Sequence, residues 1–189
     1  KTRVTSSASC LDVYNWSTAA GGNIAQYSYW GGACQLWILE KASDTKGTDI
    51  SLSANDLTYG NYTNAITSGS FTIGASSSKN VAVLNRNTTV YGTSYSKVLQ
   101  MNGGGNSTGR YIKFTATGAC TVKVTAASTS TSASRTVRLA SGSVGGSTVG
   151  NATITGTPST VTYKIPSAGT YYLYSTGSGI YVYQVNVAY

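Results

Sequence analysis

Along most of the chain, apolar and polar positions alternate with a period of two. The runs are short: "SFTIG" at 70–74, "NVAVL" at 80–84, "RYIKFTAT" at 110–117, "CTVKVTA" at 120–126, "RTVRLA" at 135–140, "VTYKI" at 161–165, "TYYLYS" at 170–175 and "GIYVYQVNVAY" at 179–189. Clusters of Gly, Ser and Asn separate them at roughly regular spacing. This is the pattern of strands joined by tight turns in an all-β sandwich. No segment carries a helical period of apolar residues. The alternation also assigns sides. Ile112 and Phe114 are expected inward, so Lys113 faces outward; Val122 and Val124 place Lys123 outward in the same way. Lys164 stands between Tyr163 and Ile165 and also faces solvent, while Cys120 shares the parity of Val122 and reads as a buried free thiol.

The first part of the chain has a different character. "GNIAQYSYWGGACQLW" at 22–37 gathers aromatics, a Gly-Gly pair, a cysteine and a Q-x-W ending. "KASDTKGTD" at 41–49 is polar, charged and without pattern, as a linker is. The expected organisation is an N-terminal piece over 1–43, a linker over 44–56 and a β-sandwich over 57–189.

Composition supports strands over helices. There are 22 Gly and 15 Tyr, and charged residues are only 10% of the chain, against about 25% in ordinary soluble domains. Strong helix formers are scarce. No apolar run is long enough for a membrane-spanning helix, so no membrane partner is expected. No signal peptide is visible, and the chain starts at Lys1 as a mature or excised product would. With the Ser/Thr/Gly/Tyr bias and the low charge, this reads as a secreted, extracellular protein.

The candidate catalytic chemistry is thin. There is no histidine, which excludes Ser-His-Asp and Cys-His sites. The acids are Asp12, Glu40, Asp44, Asp49 and Asp56, and none lies in 57–189, so facing carboxylates for glycoside hydrolysis are missing there. Three scattered cysteines do not make a thiolate zinc site, and the acids are too few for a carboxylate-built calcium site. The reading is a non-enzyme with no metal and no cofactor. A Lys or Arg base, as in polysaccharide lyases, is the one catalytic route left open.

Charge adds a candidate partner. The net charge is +8. From residue 47 onward the basic residues are Lys79, Arg86, Lys97, Arg110, Lys113, Lys123, Arg135, Arg138 and Lys164, against only Asp49 and Asp56. Lysines on successive strands of one sheet make a positive surface for a polyanion. They also keep a sheet soluble and guard its edges, but so few acids balance them that polyanion binding is the preferred reading. Nucleic acid is not the expected polyanion, because the cations lie on strands with no recognition helix and no nucleic-acid motif.

Two resemblances sharpen these readings. "ASCLDVYNWSTAAGGNIAQYSYWGGACQLWILE", with Leu11-Asp12-Val13, Gly22-Asn23-Ile24, Gln26 and Gln35-Leu36-Trp37, resembles one repeat of the ricin-type β-trefoil lectins, family 13 of the carbohydrate-binding modules. The resemblance implies a core role for Leu11, Val13 and Trp37, and a secondary sugar site at Asp12, Tyr27 and Gln35. It also implies a disulfide between Cys10 and Cys34, and Cys34 stands where the family commonly has Asn. A single repeat calls for neighbours. Three arrangements remain open: missing upstream repeats of a longer chain, which is preferred, the second domain, or copies on other chains.

Residues 57–188 resemble family 77 of the carbohydrate-binding modules and related domains appended to pectate lyases. The matching stretches are "LTYGNYTNAITSGSFTIGASSSKNVAV", "GRYIKFTATGACTVKVTAAS" and "IPSAGTYYLYSTGSGIYVYQVNV". This resemblance implies a jelly-roll-like β-sandwich that binds acidic pectic polysaccharide, chiefly homogalacturonan, with lysines on the uronate carboxylates. Lys113, Lys123 and Lys164 follow from strand parity, while Lys97 and Arg110 rest on the family pattern. It also implies an upstream catalytic module of a polysaccharide-degrading enzyme on the same polypeptide. Two alternatives stand beside it: a self-assembling extracellular structural or surface-fibre subunit, and a neutral-glycan lectin acting through the N-terminal repeat.

Overall fold

The structure is a computed structural model that describes residues 9–19, 22–35 and 47–189. It divides into two compact units, Lys1–Thr45 and Lys46–Tyr189.

The first unit contains an antiparallel hairpin of β1 (Ser9–Val13) and β2 (Ile24–Ser28), with Leu11 opposite Gln26. Two single turns, Tyr14–Trp16 and Ala33–Gln35, follow the strands. Few of its described side chains are buried: Cys10, Asp12 and Gln35 are, whereas Leu11, expected as core, is exposed. Leu36 and Trp37 of the Q-x-W signature lie outside the described residues.

The second unit is all-β and builds a jelly-roll-like sandwich of two antiparallel sheets. One sheet runs β13 (Ser159–Ile165), β10 (Cys120–Ser128), β15 (Ile180–Ala188), β8 (Thr93–Met101), β7 (Val81–Val90) and β4 (Gly60–Tyr62), with β3 (Ile50–Ser53) also paired to β15. The other runs β12 (Ser147–Ile154), β11 (Arg135–Ser141), β14 (Gly169–Ser175), β9 (Tyr111–Ala116), β6 (Phe71–Gly74) and β5 (Ile66–Ser68). Alternation fills the space between them. Ile112 and Phe114 of β9 meet Val122 and Val124 of β10, Leu139 of β11, Leu173 of β14 and Val185 of β15 in one buried cluster. Tyr163 joins the two sheets, donating its hydroxyl to the carbonyl of Val137 at 2.9 Å. Burial pushes its phenol pKa well above the ordinary 10.0.

A second, smaller cluster lies on the outer side of the seven-stranded sheet. Val90, Tyr95, Val98, Ala127 and Tyr183 are buried there beside half-buried Leu84 and Tyr181. Val98 faces Leu84 across β7 and β8, on the opposite side from Val83 and Leu99 of the main core.

The expected linker is shorter than 44–56. Residues 50–53 form β3, zipped to β15 with Leu52 opposite Val185, and a turn at Ala54–Asp56 continues it. Its four residues, ISLS, do alternate, but the run is too short to stand out beside the polar stretch before it. β4, β5, β8 and β12 were likewise outside the recognised runs. In β12, "STVGNATI", the central Gly150 interrupts the pattern because its position is filled by the Tyr163 ring pressing against the backbone.

Candidate functional site

The outer face of the six-stranded sheet combines cations with aromatic rings. Lys113 of β9 points outward because Ile112 and Phe114 on either side are buried. It stands directly opposite Tyr172 of β14 on one side and Thr72 of β6 on the other. Tyr111, two residues earlier on the same strand, brings its ring edge-on to Tyr172 with centroids 5.3 Å apart. Tyr111 lies flat over Gly74, where an added Cβ would collide with the ring. Glycine at this position is what lets the tyrosine lie along the sheet. Arg138 of β11 is opposite Tyr174 of β14, so it shares this face. The face therefore presents Lys113 and Arg138 among Tyr111, Tyr172 and Tyr174. Both Tyr111 and Tyr172 are half-exposed.

Beside this platform is a cleft of about 430 Å³ between the loops at 102–109 and 142–146. Arg138 and the Tyr174 ring line it with Asn106 and Thr176. The Tyr174 hydroxyl accepts from the Gly145 N–H at 3.0 Å, which seats the second loop on the sheet.

The other expected cations do not join this group. Lys123 and Lys164 face outward from the seven-stranded sheet, on the opposite side of the sandwich: Lys123 pairs with Thr162 and Asn186, and Lys164 with Thr121. They are diagonal neighbours on one polar surface, roughly 7–8 Å apart at the backbone. Lys97 has the parity of Leu99 and Met101, the inward side. Its Nζ donates to the carbonyls of Asn55 at 3.1 Å and Leu57 at 2.7 Å, so it fastens the turn after β3. Arg110 sits at φ 61° and donates from Nε to the carbonyl of Asn80 at 3.1 Å and from Nη2 to its Oδ1 at 3.3 Å. Lys97 and Arg110 thus hold loops. Tyr111, Tyr172 and Arg138 were not singled out from sequence; the signal for Tyr111 was its shared parity with Lys113.

In the first unit, Gln35 is a bracket. Its Nε2 donates to Asp12 Oδ2 at 2.8 Å and to the carbonyl of Ser28 at 2.9 Å. Its Oε1 accepts from the N–H groups of Trp30 at 2.9 Å and Gly31 at 3.3 Å. With both ends engaged and only 1% of its surface exposed, it orients Asp12 and leaves no amide for a sugar. Asp12 lines a cleft of about 350 Å³ with Tyr14, Asn15, Trp16, Tyr27 and Trp30. Trp16 and Trp30 are exposed and lie 5.4 Å apart, tilted by 46°. Asn15 and Trp16 are both held at positive φ, 53° and 56°, an unfavourable conformation for tryptophan that swings its ring to the cleft.

The expected Cys10–Cys34 bridge is not formed: both are free thiols, as is the buried Cys120. The Sγ of Cys34 instead donates to Asp12 Oδ2 at 3.5 Å. Burial and the neighbouring carboxylate push the Cys34 thiol pKa up. Among the described residues, no group of three or more His, Cys, Asp or Glu side chains is placed to hold a metal, and no helix is long and apolar enough to cross a membrane.

No protein-family model matches the chain, and no curated protein matches it. Several solved structures are similar to it. A chain described with glycan recognition by the Ruminococcus flavefaciens cellulosome is 13% identical over 76% of this chain and 95% of that one, with a TM-score of 0.48. The K1 cleaved adhesin domain of Lys-gingipain from Porphyromonas gingivalis is 16% identical over 75% and 98%, with a TM-score of 0.48. The CBM22-1 xylan-binding domain of Xyn10C from Paenibacillus barcinonensis is 14% identical over 74% and 92%, with a TM-score of 0.45.

Proposed function

We propose that this protein is a secreted, non-catalytic carbohydrate-binding module for acidic, pectic polysaccharide of the homogalacturonan type, carried by a larger polysaccharide-degrading enzyme. The observation that supports it is the register of Lys113 with Tyr172, with Tyr111 beside them on one open face. A pyranose ring has an apolar C–H side that stacks on a flat aromatic. A uronate adds a carboxylate, and Lys113 stands next to the stacking surface to receive it. One exposed ion pair contributes only about 0.2–1 kcal/mol, but a polymer presents a carboxylate on every ring, so several weak contacts add. Only two acids stand against nine basic residues in 47–189, so few carboxylates of the chain itself compete with a polyanion for these cations.

Affinity electrophoresis tests this reading. Polygalacturonate should retard the protein, and highly methylated pectin should retard it far less, because the ester removes the negative charge. Salt should weaken retardation, since the Debye length falls from about 10 Å at 0.1 M to about 3 Å at 1 M. Equal retardation by both polymers would overturn charge matching.

A second reading, neutral-glycan binding by the first unit, is favoured by the Asp12 cleft with exposed Trp16, Tyr27 and Trp30 around it. Neutral oligosaccharides that change tryptophan fluorescence in the parent but not in a Trp16→Ala, Trp30→Ala double variant would support it.

A further inference from the structure

We infer that the cleft beside Arg138 is a separate carboxylate subsite that takes a single acidic sugar by its uronate group. The sugar class rests on the reading above, but the anion selectivity follows from the cleft itself. Arg138 is half-buried, and its Nε donates to Asn151 Oδ1 at 3.0 Å. That bond fixes the plane of the guanidinium. Its two terminal nitrogens find no acceptor among the described residues, so the planar fork is oriented and unsatisfied. Such a fork matches a carboxylate through two parallel hydrogen bonds, which a lysine point charge does not reproduce.

The walls are preformed. Gly105 donates its N–H to the carbonyl of Ser175 at 2.9 Å and packs so closely on Tyr174 that a Cβ would come within 2.7 Å of the tyrosine's own Cβ. Asn106 closes its loop: its backbone N–H reaches Gly109 at 3.0 Å, and its Oδ1 accepts from the N–H of Thr108 at 3.0 Å and the hydroxyl at 2.8 Å. The Nδ2 of Asn106 has no acceptor among the described residues and is the donor left for a sugar oxygen. Tyr174, held by Gly145, supplies an apolar wall. At about 430 Å³ the cleft is at the small end of ligand sites, which run from about 300 to 1,000 Å³. Neither Asp49 nor Asp56, the only acids of residues 47–189, lines it.

The test is a titration of the whole chain with free galacturonic acid, its methyl ester and galactose, followed by the backbone amide NMR shifts of Asn106, Gly145 and Thr176. The acid should shift these amides saturably, and the ester and galactose should bind about tenfold more weakly or less. Arg138→Gln should remove the preference for the acid. Arg138→Lys, which keeps the charge, and Asn151→Ala, which frees the fork, should each weaken it, and they carry the test if the glutamine variant does not fold. Lys123→Ala, on the other face, should change nothing. Equal shifts with all three ligands, no shifts with any, or a preference that survives Arg138→Gln would overturn the inference. A cleft that titrates in a protein not retarded by polygalacturonate would sink the polymer reading alone; a silent cleft in a retarded protein would sink this one alone.

Discussion

The two outer faces of the sandwich carry comparable charge but differ in what surrounds it. On the six-stranded sheet, Lys113 and Arg138 stand among tyrosines, and Tyr111 and Tyr172 remain half-exposed. On the seven-stranded sheet, Lys123 and Lys164 stand among Thr121, Thr162 and Asn186. That sheet has aromatics too, but they are consumed internally. Tyr95 and Tyr183 are buried in the smaller cluster, and Arg86 lies over the Tyr181 ring at 4.5 Å, a cation–π contact. One face leaves its rings half-exposed to solvent, and the other folds them into a second core. On the proposed reading, it is the cation beside an open ring, rather than positive charge alone, that distinguishes the two faces.

The comparison can be broken from the core outward. Phe114→Ala should have the largest effect, about 3–5 kcal/mol of lost stability, because the ring is 1% exposed and stacks on Tyr171 at 5.9 Å. It should disable both faces together, as a chemical denaturation curve and a polysaccharide-retardation gel would show. High pH should act next, again on both faces. The Tyr163 phenol is raised above its ordinary 10.0 in the folded protein, so the unfolded chain loses that proton first. Its contribution is fully present below about pH 10 and falls as pH rises beyond it. Tyr163→Phe should flatten that alkaline loss in thermal melts. The smallest effect separates the faces: Lys123→Ala with Lys164→Ala should change polygalacturonate affinity by less than about threefold, since exposed pairs are individually weak.

The parity of Lys113 was legible because its neighbours Ile112 and Phe114 bury without exception. Which side of the sandwich it faces was not legible, since that depends on β9 pairing with β14 some sixty residues away. Lys123 and Lys164 obey the same parity and land on the other side. Lys97 was misplaced for a different reason. The carbonyls of Asn55 and Leu57 after β3 need a donor, and Lys97 supplies it. Gln35 was read as a sugar ligand, but the N–H groups of Trp30 and Gly31 turn it inward. In both cases a backbone group that sequence does not display decides where a polar side chain goes. The sandwich itself was readable from eight alternating runs; β3 and β12 were not, one being too short and the other interrupted by Gly150.

The central claim, that the tyrosine-lined face binds acidic polysaccharide, is tested most directly by comparing two double variants on polygalacturonate affinity gels. Lys113→Ala with Tyr172→Ala removes the cation and the ring that face each other on the six-stranded sheet. Lys123→Ala with Lys164→Ala removes two positive charges, twice as many, from the seven-stranded sheet. The account predicts that the first variant loses retardation, by about tenfold in affinity or more, while the second migrates close to the parent. Equal losses in the two, or a loss confined to the second, would contradict it.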